Sequence, residues 1–70
     1  MGLLLARGRV DRYSPYLGQG FIVHEDGGPE AFVRRENLAF GEEDLRNNEE
    51  VMFEVAEGSE GPEARNVFRV

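Results

Sequence analysis

The chain has 70 residues, with 14 acids against eight cations, a net charge of −6 and no cysteine. A single domain of this size buries only roughly 60% of its unfolded surface, which favours an economical closed or nearly closed sheet. The lack of cysteine excludes disulfides, a thiolate nucleophile and zinc-finger ligand spacing, and with "GLLLA" too short for a signal-peptide core and nothing near the ~20 apolar residues of a membrane span, a soluble cytoplasmic protein is expected.

Taken in chain order, turn signals leave little room for a long helix. Gly8, Ser14-Pro15, Asp26-Gly27-Gly28-Pro29, Asn47-Asn48, Gly58 and Gly61-Pro62 punctuate the sequence. Strands are predicted over 3–13, 18–24, 30–35, 49–57 and 62–69. The second and third form a hairpin around Gly27-Gly28. A short helix is predicted somewhere in 36–48, with Leu38 and Leu45 plugging the core and Glu42, Glu43 and Asp44 in water. In "EVMFEVAE", Val51, Phe53 and Val55 alternate with Met52, Glu54 and Ala56, as on a strand with one buried face. The expected core is Val10, Ile22, Val33, Leu38, Leu45, Val51, Phe53, Val55 and Val67, with Tyr13 at its margin. Five short strands with one long connection after the third suggest one domain, an all-β, five-stranded antiparallel barrel of OB type.

The charge is unevenly distributed. Residues 1–35 carry five arginines against four acids, whereas residues 36–70 carry three arginines against ten acids. Positive charge therefore lies with the aromatics of the first half. Every cation is arginine, whose flat guanidinium stacks on rings and bases as well as pairing with phosphate.

"GRVDRYSPYLGQGFI", "AFVRREN", "EEVMFEV" and "GPEARNV" resemble, in order and over nearly the whole chain, the cold-shock domain family. Its first strand ends in G-x-V-K-W-F-N and is followed by K-G-F-G-F-I, V-F-V-H and G-P-Q-A-x-N-V. The most specific agreements are Gly18, Gly20, Phe21, Ile22, Phe32, Val33, Gly61, Pro62, Ala64, Asn66 and Val67. The resemblance implies an OB-type barrel without cofactor that binds single-stranded RNA or DNA on the face of its first three strands. The departures are informative as well. Arg12 stands where the family has tryptophan, Gln19 where it has the first phenylalanine of K-G-F-G-F-I, and Leu17 where it has the preceding lysine. Arg34 replaces the histidine of V-F-V-H, and Arg35 follows at a position that is often aromatic. Tyr16 and Phe40, in flanking loops, are unaligned substitutes for the missing rings.

Strand alternation puts Gln19 and Phe21 on one face and Gly20 and Ile22 on the other, and it puts Phe32 with Arg34 while Ala31 and Val33 turn inward. The expected nucleic-acid-binding residues are therefore Arg12, Gln19, Phe21, Phe32, Arg34 and Arg35. Phe21 and Phe32 would stack on bases, and the arginines would contact phosphates or bases. With two platforms missing, binding is expected to be weak and salt-sensitive, in a monomer or weak dimer, with an RNA-chaperone-like or regulatory role. The alternative is a barrel that has lost this ligand and serves as a protein-interaction module; acids of 42–50 lying close to Phe21 and Phe32 would favour it. Arg7 and Arg9 are expected to point outward and extend the positive strip; the alternative is cross-strand pairing with acids such as Glu54, worth little at an exposed site. Asn66 is expected to be buried or half-buried with its amide satisfied by backbone.

Enzyme chemistry has little support. The only histidine, His24, lies beside Gly27-Gly28, where a solvated loop is expected rather than a metal or acid/base site. Neither Ser14 nor Ser59 is set with a base. "GQG" has no lysine-bearing helix to form a phosphate-cradling loop.

Overall fold

The computed structural model describes residues 5–70. Five strands, β1 (Leu5–Ser14), β2 (Gln19–His24), β3 (Ala31–Arg34), β4 (Glu50–Gly58) and β5 (Gly61–Arg69), close into a barrel in the order β1-β2-β3-β5-β4. All pairings are antiparallel except β3–β5, which meet in parallel at Phe32 and Glu63. This is the five-stranded OB-type barrel expected from the sequence. The start predicted for the first strand, at residue 3, lies outside the described residues.

Two bulges shape the barrel. Between the pairs Asp11↔Phe21 and Ser14↔Gln19, β1 advances three residues while β2 advances two, and the extra residue falls where Arg12 adopts φ 54°. Between Met52↔Phe68 and Glu54↔Arg65, β5 advances three against two in β4, with Asn66 at φ 51°. Each insertion resets side-chain alternation. Val10 and Tyr13 therefore both turn inward although three residues apart, as do Ala64 and Val67.

The core comprises Val10, Tyr13, Ile22, Ala31, Val33, Leu45, Val51, Phe53, Ala64 and Val67, with Leu38 packed against it. Backbone approaches are tightest at Gly8 and Gly20, where an added Cβ would lie 2.4 Å from the Val23 carbonyl oxygen and from Tyr13 Cα respectively. Only glycine lets the bulged β1 cross β2 this closely.

Four expectations change. Val55 is 45% exposed rather than core. It continues the inward parity of Val51 and Phe53 and pairs with Ala64, but Phe53 is the last fully buried residue along β4. No helix forms in 36–48 apart from a single 3₁₀ turn at Arg35–Asn37. Backbone groups there bond to other elements instead: the Ala39 amide donates to the Val67 carbonyl at 2.8 Å, and Arg69 donates to the Glu43 and Asp44 carbonyls while pairing with Glu42 and Glu49. Asn66 is exposed, and its amide donates to Glu54 Oε1 at 2.9 Å rather than to backbone. Asparagine suits it because that residue tolerates the left-handed region better than most. His24 is not a solvated loop residue. Its side chain is only 13% exposed and meets Phe53 edge-on at 5.2 Å, at one end of the core.

Candidate nucleic-acid interface

The register of the sheet sets Asp11, Phe21, Phe32 and Glu63 in one row across β1, β2, β3 and β5. Phe21 and Phe32 are directly opposed and half-buried, with ring centroids 5.6 Å apart and planes at 61°. This edge-to-face contact steadies both rings. Because Gly20, Ile22, Ala31 and Val33 turn into the barrel, the phenylalanines occupy its outer surface. The expected parity of β2 and β3 is the one found.

Two arginines frame the pair. The Arg12 guanidinium lies 4.5 Å from the Phe21 centroid, and that of Arg34 lies 4.8 Å from the Phe32 centroid. Both distances suit cation–π contact. The bulge delivers Arg12, since its φ of 54° redirects the chain between outward Asp11 and inward Tyr13. Each guanidinium is also held by carboxylates. Arg12 donates to Asp11 at 2.9 Å and to Glu30 at 2.5 Å, while Arg34 donates to Glu63 at 3.1 Å. Glu63 is shared with Arg65 at 3.0 Å. The bond to Glu30, seconded by that to Asp11, raises the pKa of Arg12 above its ordinary value and keeps it charged. Exposed Gln19 stands opposite Arg34 on the same face.

Arg35 lies elsewhere. It donates to both carboxylate oxygens of Asp44, at 3.2 and 3.0 Å, and to the Pro15 carbonyl, with its guanidinium packed beneath Gly18. Tyr13 completes this network by donating its hydroxyl to Asp44 at 2.5 Å. Burial, reinforced by the anionic partner, pushes Tyr13 up to about 12. The bonds from Arg35 and then Tyr13 hold Asp44 below its ordinary value. Arg35 thus ties the β1–β2 turn to the long connection rather than joining the four-residue cluster.

Four of the five acids of 42–50 pair with arginines other than those over the rings: Glu42 and Glu49 with Arg69, Asp44 with Arg35, and Glu50 with Arg7. Arg7 also meets Glu25, so it pairs with acids as in the alternative reading, whereas Glu54 bonds to Asn66. Tyr16 and Phe40 are fully exposed in their loops. The carboxylates that do border the rings, Asp11, Glu30 and Glu63, escaped sequence reasoning. The acidic pairing of Phe32 depends on the β3–β5 closure, for which no local signal exists. Among the described residues no group of three or more His, Asp or Glu side chains is disposed to hold a metal, and no helix is long and apolar enough to cross a membrane.

Residues 6–70 match the family described as "'Cold-shock' DNA-binding domain". The chain belongs to the cold-shock domain family. Cold-shock relatives span nearly all of it. The chain is 34% identical to cold shock protein ScoF of Streptomyces coelicolor over 64 residues, which cover 90% of this chain and 96% of the relative. It is 36% identical to cold shock protein CspB of Geobacillus stearothermophilus over 67 residues, 94% and 100% of the two. It is 39% identical to cold shock-like protein CspJ of Salmonella typhimurium over 61 residues, 86% and 87%. Cold-shock domain proteins are nucleic-acid-binding proteins rather than enzymes, and in this cold-shock domain the outer face of β1–β3 carries the paired rings.

Proposed function

We propose that this cold-shock domain binds single-stranded RNA or DNA weakly and salt-sensitively, on the face formed by Arg12, Gln19, Phe21, Phe32 and Arg34, with Arg35 at its margin. The observation that carries the reading is the opposed Phe21–Phe32 pair on the outer surface, with a guanidinium over each ring. An unpaired base offers a flat π face to such a pair, and the strand's phosphates seek the flanking cations. The row Arg12–Phe21–Phe32–Arg34 extends the platform beyond two phenylalanines, because a guanidinium plane itself stacks on a base. It partly replaces the platforms lost at positions 12 and 19. Base–aromatic stacking is worth roughly 1–3 kcal/mol per base, so the lost rings lower affinity by about two to four orders of magnitude before any such compensation.

The pairing of Glu42, Asp44, Glu49 and Glu50 with Arg69, Arg35 and Arg7, rather than with the arginines over the rings, favours this reading over a protein-interaction module. In the cell the domain would act on RNA in a chaperone-like or regulatory role. Titration of the protein with a short pyrimidine-rich single strand, followed by amide and side-chain chemical shifts, tests the face. Shifts clustered at residues 12, 19, 21, 32 and 34 are expected; shifts confined to other surfaces, or none, refute it.

A further inference from the structure

The two arginines over the rings are not free cations. Arg12 is bound by Glu30 from the β2–β3 connection, and Arg34 by Glu63 from β5, so each guanidinium meets a carboxylate brought from another part of the chain. Counting Asp11 and Arg65, which join the same contacts, the cluster holds three guanidinium groups and three carboxylates and is neutral. A neutral face steers polyanions from a distance less than a basic one, and a phosphate that replaces carboxylate on an arginine gains less there than on a free cation.

We infer that Glu30 and Glu63 are competitors of phosphate built into the binding face, which make it select strands with accessible bases and reject polyanions that offer phosphate alone, such as duplexes. The inference rests on the proposed single-strand reading. In a duplex the base faces are stacked away and only phosphates and groove edges remain, so binding must displace Glu30 and Glu63 with little return. A single strand brings bases that stack on Phe21, Phe32 and the outer faces of the guanidinium groups, a gain the carboxylates do not oppose. Glu30 and Glu63 thus set specificity through the arginines they occupy, and the net acidity of the chain lies partly at the site where it filters ligands.

The test compares wild-type protein with Glu30→Gln/Glu63→Gln and with a charge-matched control, Glu57→Gln/Glu60→Gln, whose carboxylates are exposed and make no ion pair among the described residues. Labelled single strand and duplex of the same sequence are titrated at several salt concentrations. Glu30→Gln alone, a change in an exposed turn, serves as the second variant should Glu63→Gln perturb folding. Expected are an affinity gain of about two- to five-fold per carboxylate over the control and a single-strand salt slope steeper by up to about 0.7 per freed arginine. The duplex should gain proportionally more. Affinity, slope and single-strand preference indistinguishable from the control overturn the inference and leave the proposed function standing. A gain for the duplex with no single-strand binding by either protein keeps the carboxylates as competitors but sinks the proposed function.

Discussion

Arg34 reaches along β3 to lie 4.8 Å over the ring of Phe32 while its Nη1 donates to Glu63 at 3.1 Å on the neighbouring strand. One side chain thereby joins a stacking platform to an acidic partner. Arg12 repeats the arrangement over Phe21 with Asp11 and Glu30. The proposed binding face is a set of matched opposites rather than a basic groove.

Replacing Arg34 with lysine should weaken single-strand binding although charge is kept, because an ammonium has no flat face to offer a base beside Phe32. A drop of about three- to ten-fold is expected by titration, corresponding to roughly 0.5–1.4 kcal/mol of lost cation–π and stacking contact. Equal affinity for the two proteins would mean that Arg34 acts as a charge alone.

Gly20→Ala should destabilise the barrel by roughly 1–3 kcal/mol or more. Its Cβ would fall 2.4 Å from Tyr13 Cα, a backbone atom that cannot swing away as a side chain would. Denaturant unfolding checks this; a midpoint within error of wild type would show that β1 can shift at its bulge.

The Tyr13–Asp44 hydrogen bond predicts losses of stability at both extremes of pH. Tyr13 is raised from 10.0 to about 12, so its contribution is complete below pH 10 and disappears as pH climbs toward 12. Asp44 is lowered from 3.8, so its contribution is present above that value and fades as pH falls below it. Thermal melts of Tyr13→Phe should lose the alkaline dependence between pH 10 and 12 and keep part of the acid dependence, because Arg35 still binds Asp44. An unchanged alkaline profile would place the titrating group elsewhere.

Much of this face was legible in the sequence because β2 and β3 pair without a bulge. Gly20 and Ile22 between outward residues, and Ala31 and Val33 around Phe32, set a parity that survives in the structure. Elsewhere alternation misleads. Val55 obeys its own strand's period yet is exposed, and Asn66 sits on a bulge that no local pattern announces. The connection 36–48 has helix-compatible residues, but the arginine at the end of β5 captures its carbonyls and carboxylates from 20 or more positions away. Arg35 stands in a motif that suggests a ligand contact, and only the fold reveals Asp44 beneath the β1–β2 turn. Local period fixes a strand's faces; closure of the barrel decides what each face meets.

Asn66 should tolerate glycine but not valine. At φ 51° a β-branched side chain pays roughly 1–2 kcal/mol, whereas glycine is free of that strain. Unfolding midpoints of Asn66→Gly and Asn66→Val measure the difference. Equal stability would mean that the β5 bulge can relax into ordinary pairing.

The most direct test of the account is fluorescence-anisotropy titration of a labelled pyrimidine-rich single strand with wild-type, Phe21→Ala and Phe32→Ala proteins across a range of salt. Saturable binding that weakens with salt, and that falls about tenfold or more in each variant, is the predicted result. Binding unchanged by loss of either ring, or no binding at low salt by a folded protein, would contradict it.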